Sequence, residues 1–370
     1  MIRFSTENLR KVFADENKFQ EFRSVASNLV RGNQVYAYDE DGNERKVSNR
    51  QANAAIQKVF MEVCGLTKED LNSPKRVRRA VKAHGMELFE IIEEDIEWKI
   101  NDSWATSEWF EQFVDRKSHA LGDANSFYVE EKQYLIVGDV SGDHHDVTIQ
   151  QLGAGEEFAV KCTNHAIKIG KDIDLIVLGR FDYSKMVQKV ADAFVKDITD
   201  TVFADVYGAA ESLPSELKMT TDLTAGTKAD FDALIERVQI INDSDVVLMG
   251  TKTALKKLNA LADVDWATVE QKESMAKTGR LGTYEGTTLV EVPQRLKIGS
   301  LTETLLPNDV ILIMPVNEEK FVKFYEEGET EIFEINEKAQ LKDDFQTYEV
   351  HRAYGAEVVL GQYFGVWDKA

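Results

Sequence analysis

The apolar positions of this chain change period several times. From residue 1 to about 122 they recur mostly at helical spacing. Ser48-Asn49-Arg50-Gln51 has the form of a helix start with Ser48 as N-cap. Ala52, Ala55, Ile56, Val59, Phe60 and Val63 then share one face, and the pattern runs out near Gly65. A second start is predicted at Thr67-Lys68-Glu69-Asp70. A third is predicted at Ser73-Pro74, with proline in the first helical position. It continues through Met86, Leu88, Phe89, Ile91, Ile92, Ile96 and Trp98 into an aromatic stretch over 104–113. Residues 36–46 predict a small hairpin turning at Asp41-Gly42.

Over 127–180 the period becomes that of strands. Phe127-Tyr128-Val129, residues 134–137, 147–149 and 157–161, and Ala166-Ile167-Lys168-Ile169 are strand-like, punctuated by Gly138, Gly142, Gly153, Gly155 and Gly170. They predict an extended antiparallel ribbon. Its apolar content is too thin for a core of its own, so it should rest on something else.

A long amphipathic helix is predicted over 183–207. Met186, Val190, Phe194, Ile198, Val202 and Val206 recur every fourth residue, Val187, Ala191 and Phe203 widen the stripe, and Gly208 supplies a stop. After a polar connector come a helix over 229–242, a buried strand over 245–249, and a helix over 251–261 capped by Thr251. A short helical stretch over 264–275, a hairpin over 280–293 and a buried strand over 309–315 complete an α/β unit. Strands over 321–325, 330–335, 347–354 and 356–360 follow, with turns at Gly328, Gly355 and Gly361. They predict a narrow sheet to cover the long helix.

The 370 residues are 43% hydrophobic and 29% charged, an ordinary globular balance. No apolar run reaches the roughly 20 residues that span a bilayer, and the first residues lack the apolar core of a signal peptide. The expectation is a protein made and used in a cytoplasm. Cys64 and Cys162 are too few for a disulfide framework or a structural zinc site and read as buried apolar residues.

Charge narrows the choice further. Asp and Glu number 65 against 44 Lys and Arg, a net charge of −21. Nucleic-acid binders normally carry a basic stripe. The dense basic cluster here is Lys75-Arg76-Val77-Arg78-Arg79 with Lys82. It reads either as a solvated helix face or as a contact for an acidic neighbour, such as another copy of the chain.

Catalytic constellations are few. Asp143-His144-His145-Asp146 is the best, yet adjacent strand residues point to opposite faces, and His84, His119, His165 and His351 lie in other segments. A polar turn in the ribbon explains it. Gly250-Thr251-Lys252-Thr253 lacks the upstream glycine of a phosphate loop and reads as a strand-to-helix turn. Gly279, Gly282 and Gly286 precede a strand rather than a helix, so hairpin turns explain them. No catalytic residue, cofactor site or metal site is predicted, and the work of the chain is assigned to its surfaces.

The order of these parts resembles the Hong Kong 97 fold of tailed-phage major capsid proteins, which encapsulins share. The likeness covers about 127–367. Its most specific stretch is 279–293, similar to a family hairpin of the form G-x-x-G-x-x-x-G-x-x-V-x-x-x-P, with Val246-Val247-Leu248-Met249-Gly250, Gly355-Ala356-Glu357-Val358-Val359 and Phe364-Gly365-Val366 in support. The resemblance implies an α+β Hong Kong 97-type fold. Its parts would be an N-terminal helical arm (1–125), an extended β-ribbon or E-loop (126–182) and a peripheral domain with a long spine helix (183–228). An axial domain (229–315) and returning peripheral strands (316–370) would follow.

It further implies pentamers and hexamers of an icosahedral shell around double-stranded DNA, held without sequence-specific contacts. Portal, scaffolding or decoration proteins are the other implied partners, and membranes are not. The region before residue 122 is longer than a simple arm. Lys161 and Lys168 lie in the ribbon, but nothing in their context singles out a subunit crosslink. An encapsulin-type compartment is the nearest alternative. A cytosolic metal-dependent hydrolase using His144 and His145 is the alternative of another class.

Overall fold

A computed structural model describes residues 4–14, 16–38, 44–120, 126–129, 156–170, 174–180, 182–261, 281–297, 300–316, 320–335, 347–358 and 363–369. The chain begins with α1 (Glu7–Val12) and α2 (Glu16–Arg31), then the antiparallel pair β1 (Val35–Tyr38) and β2 (Glu44–Val47). The helices α3 (Asn49–Val63), α4 (Pro74–Ala83), α5 (Gly85–Ala105) and α6 (Glu108–Phe113) follow. Next come β3 (Val114–His119), β4 (Ser126–Val129), β5 (Glu156–Ala159), β6 (Thr163–Gly170), α7 (Asp174–Val177) and α8 (Tyr183–Ser212). The remainder is β7 (Lys218–Met219), α9 (Lys228–Asn242), β8 (Val246–Thr251), α10 (Lys252–Lys256), β9 (Thr283–Tyr284), β10 (Thr287–Val292), β11 (Val310–Pro315), β12 (Val322–Ile335), β13 (Thr347–Val358) and β14 (Gly365–Asp368). The α+β class expected from the sequence is the class observed.

Two compact units form. The first comprises Met1–Thr106, Thr163–Ile198 and Glu327–Ala353. Ser48 starts α3 as predicted: its hydroxyl accepts the Gln51 N–H, and the Gln51 side chain accepts the Ser48 N–H. Buried Ala52, Ile56 and Phe60 of α3, Leu88, Ile92 and Ile96 of α5, and Val187, Val190 and Phe194 of α8 supply its core. Phe60 meets the Tyr183 ring edge-on at 5.2 Å. The N-terminal helices are folded rather than extended. Phe4 stacks on Phe13 and both meet Phe19 edge-on, each pair with centroids 5.2 Å apart, and the Ser5 N–H and hydroxyl both donate to Glu90.

The second unit comprises Ser107–Cys162, Thr199–Glu326 and Tyr354–Ala370. Its six-stranded sheet has the order β7-β14-β11-β8-β10-β9. Every residue of β11 is buried, as a central apolar strand requires. α9 buries Phe231, Leu234, Ile235 and Val238 and ends at Asp243 in the left-handed conformation. The β9–β10 turn uses positive φ at Glu285 (48°) and Gly286 (85°), the geometry that matches strand twist in a two-residue hairpin. A four-stranded sheet of order β3-β12-β13-β6 is not confined to this unit's residues.

Several expectations fail for identifiable reasons. Thr67 starts no α-helix, only a 3-10 turn at Asp70–Asn72: the Asp70 carboxylate accepts the Thr67 N–H at 2.9 Å and its hydroxyl at 2.7 Å. The third helix is two helices, broken at His84 (φ −114°, ψ 24°). Gly208 does not stop α8, which continues to Ser212 over 30 residues, about 45 Å at 1.5 Å per residue. One exposed glycine costs a helix only about 1 kcal/mol, less than the burial of Val202, Phe203 and Val206 returns.

Gly328 and Gly355 lie inside single strands, β12 and β13. β3 falls where helix was expected. β6 pairs in the four-stranded sheet and not with the ribbon. β14, expected among the returning peripheral strands, pairs with β11 and β7 in the six-stranded sheet. The predicted strands over 134–137 and 147–149, the helix over 264–275, and the turns at Asp41-Gly42 and Gly361 lie outside the described residues.

Gly355 is where β13 approaches another backbone. A Cβ there would collide with the Lys161 carbonyl. Gly355→Ala should therefore cost about 2 kcal/mol or more. A thermal melt checks this; an unchanged midpoint would show that the two backbones are free to separate.

Candidate assembly interface

The ribbon is described at its root. Ser126 pairs with Ala159, Phe127 with Phe158, Tyr128 with Glu157 and Val129 with Glu156. Strand alternation sends Phe127 one way and Tyr128 the other. Phe127 is buried, while Tyr128 is 61% exposed. The Phe127 ring meets Tyr325 of β12 edge-on at 5.4 Å, with Val160 completing the apolar cluster.

The same alternation explains the charges around it. Asp115 and Lys117 of β3 share a face, as do Lys323 and Tyr325 of β12. Lys117 Nζ lies 4.0 Å and Lys323 Nζ 5.4 Å from the Phe127 centroid, and Lys323 also donates to Asp115 at 3.1 Å. Residues of the opposite parity, Arg116 and Glu326, pair at 2.8 Å. Each buried charge on β12 thus has a partner from β3, the condition for tolerating it away from water.

A second surface is α4. Val77 and Val81, four residues apart, are buried, whereas Lys75, Arg76, Arg78, Arg79 and Lys82 are exposed. Arg76 reaches Asp70 at 2.6 Å. The cluster singled out in the sequence is therefore an outward cationic face.

A third feature is acidic and was not legible in the sequence. α5 sets Glu90, Glu93 and Glu94 near Glu329 and Glu331 of β12. Burial pushes the Glu93 carboxyl up to about 7. The Ile332 N–H, donating at 2.6 Å, opposes that shift, while Glu90, Glu331 and Glu329 add to it. Burial likewise raises Glu94, and Arg23 of α2 opposes it. Asp95 is fully buried and accepts the Tyr183 hydroxyl at 2.5 Å; burial raises both groups. Of the consecutive carboxylates Glu93, Glu94 and Asp95, the last is buried and the first two are half-buried.

The candidate catalytic residues fare differently. His144 and His145, with Asp143 and Asp146, lie outside the described residues. His84 contacts Asn8 and Glu87, His119 meets the Tyr325 ring edge-on, His165 pairs with Asp197, and His351 with Glu349. Among the described residues no three His, Cys, Asp or Glu side chains converge as metal ligands. Thr251 caps α10 through the Ala254 N–H, which accounts for the phosphate-loop-like stretch. Cys64 is buried, and burial pushes its thiol up to about 12, but Cys162 is only half-buried, against expectation. Lys161 is exposed, and Lys168 lies 3.5 Å from Glu349. No described helix is long and apolar enough to cross a membrane.

The described residues offer surfaces, and the class the chain belongs to is phage capsid protein. Residues 24–368 match the family described as "SPbeta prophage-derived putative capsid protein YonB", and the chain is a member of that family. Its role is structural, not enzymatic. No curated protein matches the sequence. Among solved structures the chain is similar to one from Microbacterium phage Oxtober96, with 16% identity, 71% of this chain and 90% of that chain covered, and a TM-score of 0.49. It is similar to the virus-like particle from Pyrococcus furiosus, with 14% identity, coverage of 76% and 100%, and a TM-score of 0.44. The SrpI encapsulin from Synechococcus elongatus PCC 7942 gives 14% identity, coverage of 71% and 87%, and a TM-score of 0.42.

Two predictions follow from the geometry. Phe127→Ala should cost roughly 3 kcal/mol at the ribbon root. Amide exchange of β4 and β5 should then speed up more than that of β8 and β11, and unchanged protection would contradict the anchoring role. Glu93 is raised, so the stabilisation tied to its neutral form is present below the ordinary carboxylate range and is lost as pH rises through about 7. The first unit should melt lower at pH 8 than at pH 5. Glu93→Gln, which still accepts the Ile332 N–H, should narrow that gap; an unaltered gap would place its origin elsewhere.

Proposed function

We propose that this chain is the major capsid protein of a tailed phage, a Hong Kong 97-type subunit that assembles through pentamers and hexamers into an icosahedral shell around double-stranded DNA. Membership of a phage capsid family over 24–368 carries the reading. In this reading the β4–β5 ribbon is the E-loop, α8 is the spine helix, and the six-stranded sheet with α9 and α10 is the axial domain. The ribbon reaches over an adjacent subunit and buries its apolar residues there. Heterologous contacts of this kind, repeated around closed symmetry, produce a shell. Many modest interfaces then make it stable although each pair is weak.

The charge fits this role. A net charge of −21 gives no general grip on DNA. Like charges repel over about 10 Å at 0.1 M salt, so packaged DNA stays mobile. Portal, scaffolding or decoration proteins are further partners in this reading. Assembly takes place in the host cytoplasm, and the product is the virion capsid.

Deleting residues 138–155 tests the ribbon's part. The variant should yield soluble capsomers that fail to close, seen by negative-stain microscopy. Normal shells from it would contradict the proposal. DNA inside wild-type particles supports the phage reading; a protein cargo in its place would point to a compartment shell.

A further inference from the structure

The first unit contains a polar cleft that shell building does not use. It encloses about 600 Å³ between one face of α3, the turn after α7 and the start of α8. Its walls are held in place. The Gln57 side-chain amide donates to the Val177 carbonyl at 2.8 Å, tying α3 to the end of α7. Gly179, at φ +66°, lies against the same side chain, so close that a Cβ there would stand 2.8 Å from the Gln57 Oε1. Tyr183 is fixed by its hydrogen bond to Asp95. A cleft braced in this way exists before any ligand arrives, so little is lost to ordering when one binds.

Its lining is cationic in an acidic chain. Arg50 and Arg180 both line it and are exposed, and among the described residues neither guanidinium has a hydrogen bond or ion pair. The one carboxylate among the described lining residues, Asp182, is engaged: it accepts the Ser184 hydroxyl at 2.7 Å and lies 3.7 Å from Lys185. Arg50 also stands in the first turn of α3, which has no acidic residue there, and a cation at that end opposes the helix dipole. Two uncompensated guanidiniums on one cleft suit an oxyanion, because each offers a planar fork of donors that matches phosphate.

The floor has the opposite character. Ile56 and Ile176 are buried beneath the cleft, an apolar surface that an inorganic anion would leave wet. The volume is that of a small-molecule site and excludes a nucleic-acid duplex. A ligand that uses both parts joins phosphate to a flat ring. We propose that the cleft binds a nucleoside phosphate, with Arg50 and Arg180 on its phosphate oxygens and its base on the Ile56–Ile176 floor. Every residue involved belongs to one copy, so the proposal goes beyond the shell-building reading and stands apart from it.

Titration calorimetry of the full chain with ATP, without added metal, tests it, each variant first being required to melt like the wild type. The wild type should bind ATP about tenfold or more tighter than either adenosine or inorganic phosphate alone. Arg50→Gln and Arg180→Gln should each weaken binding about tenfold, the loss of one charge-assisted hydrogen bond. Ala54→Trp fills the cleft from an exposed position on its wall and should abolish binding with no change of charge. Lys75→Gln with Arg79→Gln, on the cationic face of α4, should leave the affinity as it is. No binding at millimolar ATP, or wild-type affinity in both arginine variants or in Ala54→Trp, would overturn the proposal. So would an equal loss in the α4 variant, which would reduce the effect to general attraction. Inorganic phosphate binding as tightly as ATP would leave an anion site with no place for a base. Binding of a short DNA duplex or an acidic peptide that depends on Arg50 and Arg180, with none of ATP, would overturn the proposal in favour of a macromolecular partner.

Discussion

Burial of Phe127 against the Tyr325 ring, beneath the Lys117 and Lys323 ammonium groups, fixes where the β4–β5 ribbon leaves its sheet. A two-stranded ribbon is marginal by itself, so its direction must be set by whatever holds its root. Here the hold is part apolar and part electrostatic. The ring removes apolar surface from water, both lysines lie against its electron-rich face, and Lys323 also donates to Asp115. Cutting the root would release the strands from the only described surface that organises them.

The remaining structure supplies the rigid background such a root needs. β11 and β8 are buried along nearly their whole length, and Trp367 closes the sheet with its indole N–H donating to the Thr221 carbonyl at 2.7 Å. Charge is handled differently in the two units. In the second, Arg116–Glu326 and Lys323–Asp115 are paired in or beside the sheet. In the first, Glu90, Glu93 and Glu94 of α5 lie near Glu329 and Glu331, and burial raises Glu93, Glu94 and Asp95.

Much of the fold was legible because its signals are local. The stripe of Val190, Phe194, Ile198, Val202 and Val206 located α8, Ser48 located the start of α3, and Glu285-Gly286 located a hairpin. What was missed depends on partners distant in sequence. β14 belongs to the six-stranded sheet because Val366 pairs with Leu312, and β6 lies beside β13; nothing in either strand announces its neighbour. Glycines misled for the converse reason. Gly208, Gly328 and Gly355 look like punctuation, yet tertiary burial carries α8, β12 and β13 through them. Of the candidate interface, the basic face of α4 could be read directly. The seat of Phe127 could not, because Lys117 and Lys323 come from separate strands.

The account rests on apolar and charged surfaces of one copy being covered by its siblings. Sedimentation velocity of the purified full chain over a wide range of concentration measures that directly. The account predicts a cooperative shift from small oligomers to one large, uniform particle. A single monomeric species at every concentration and salt would contradict it.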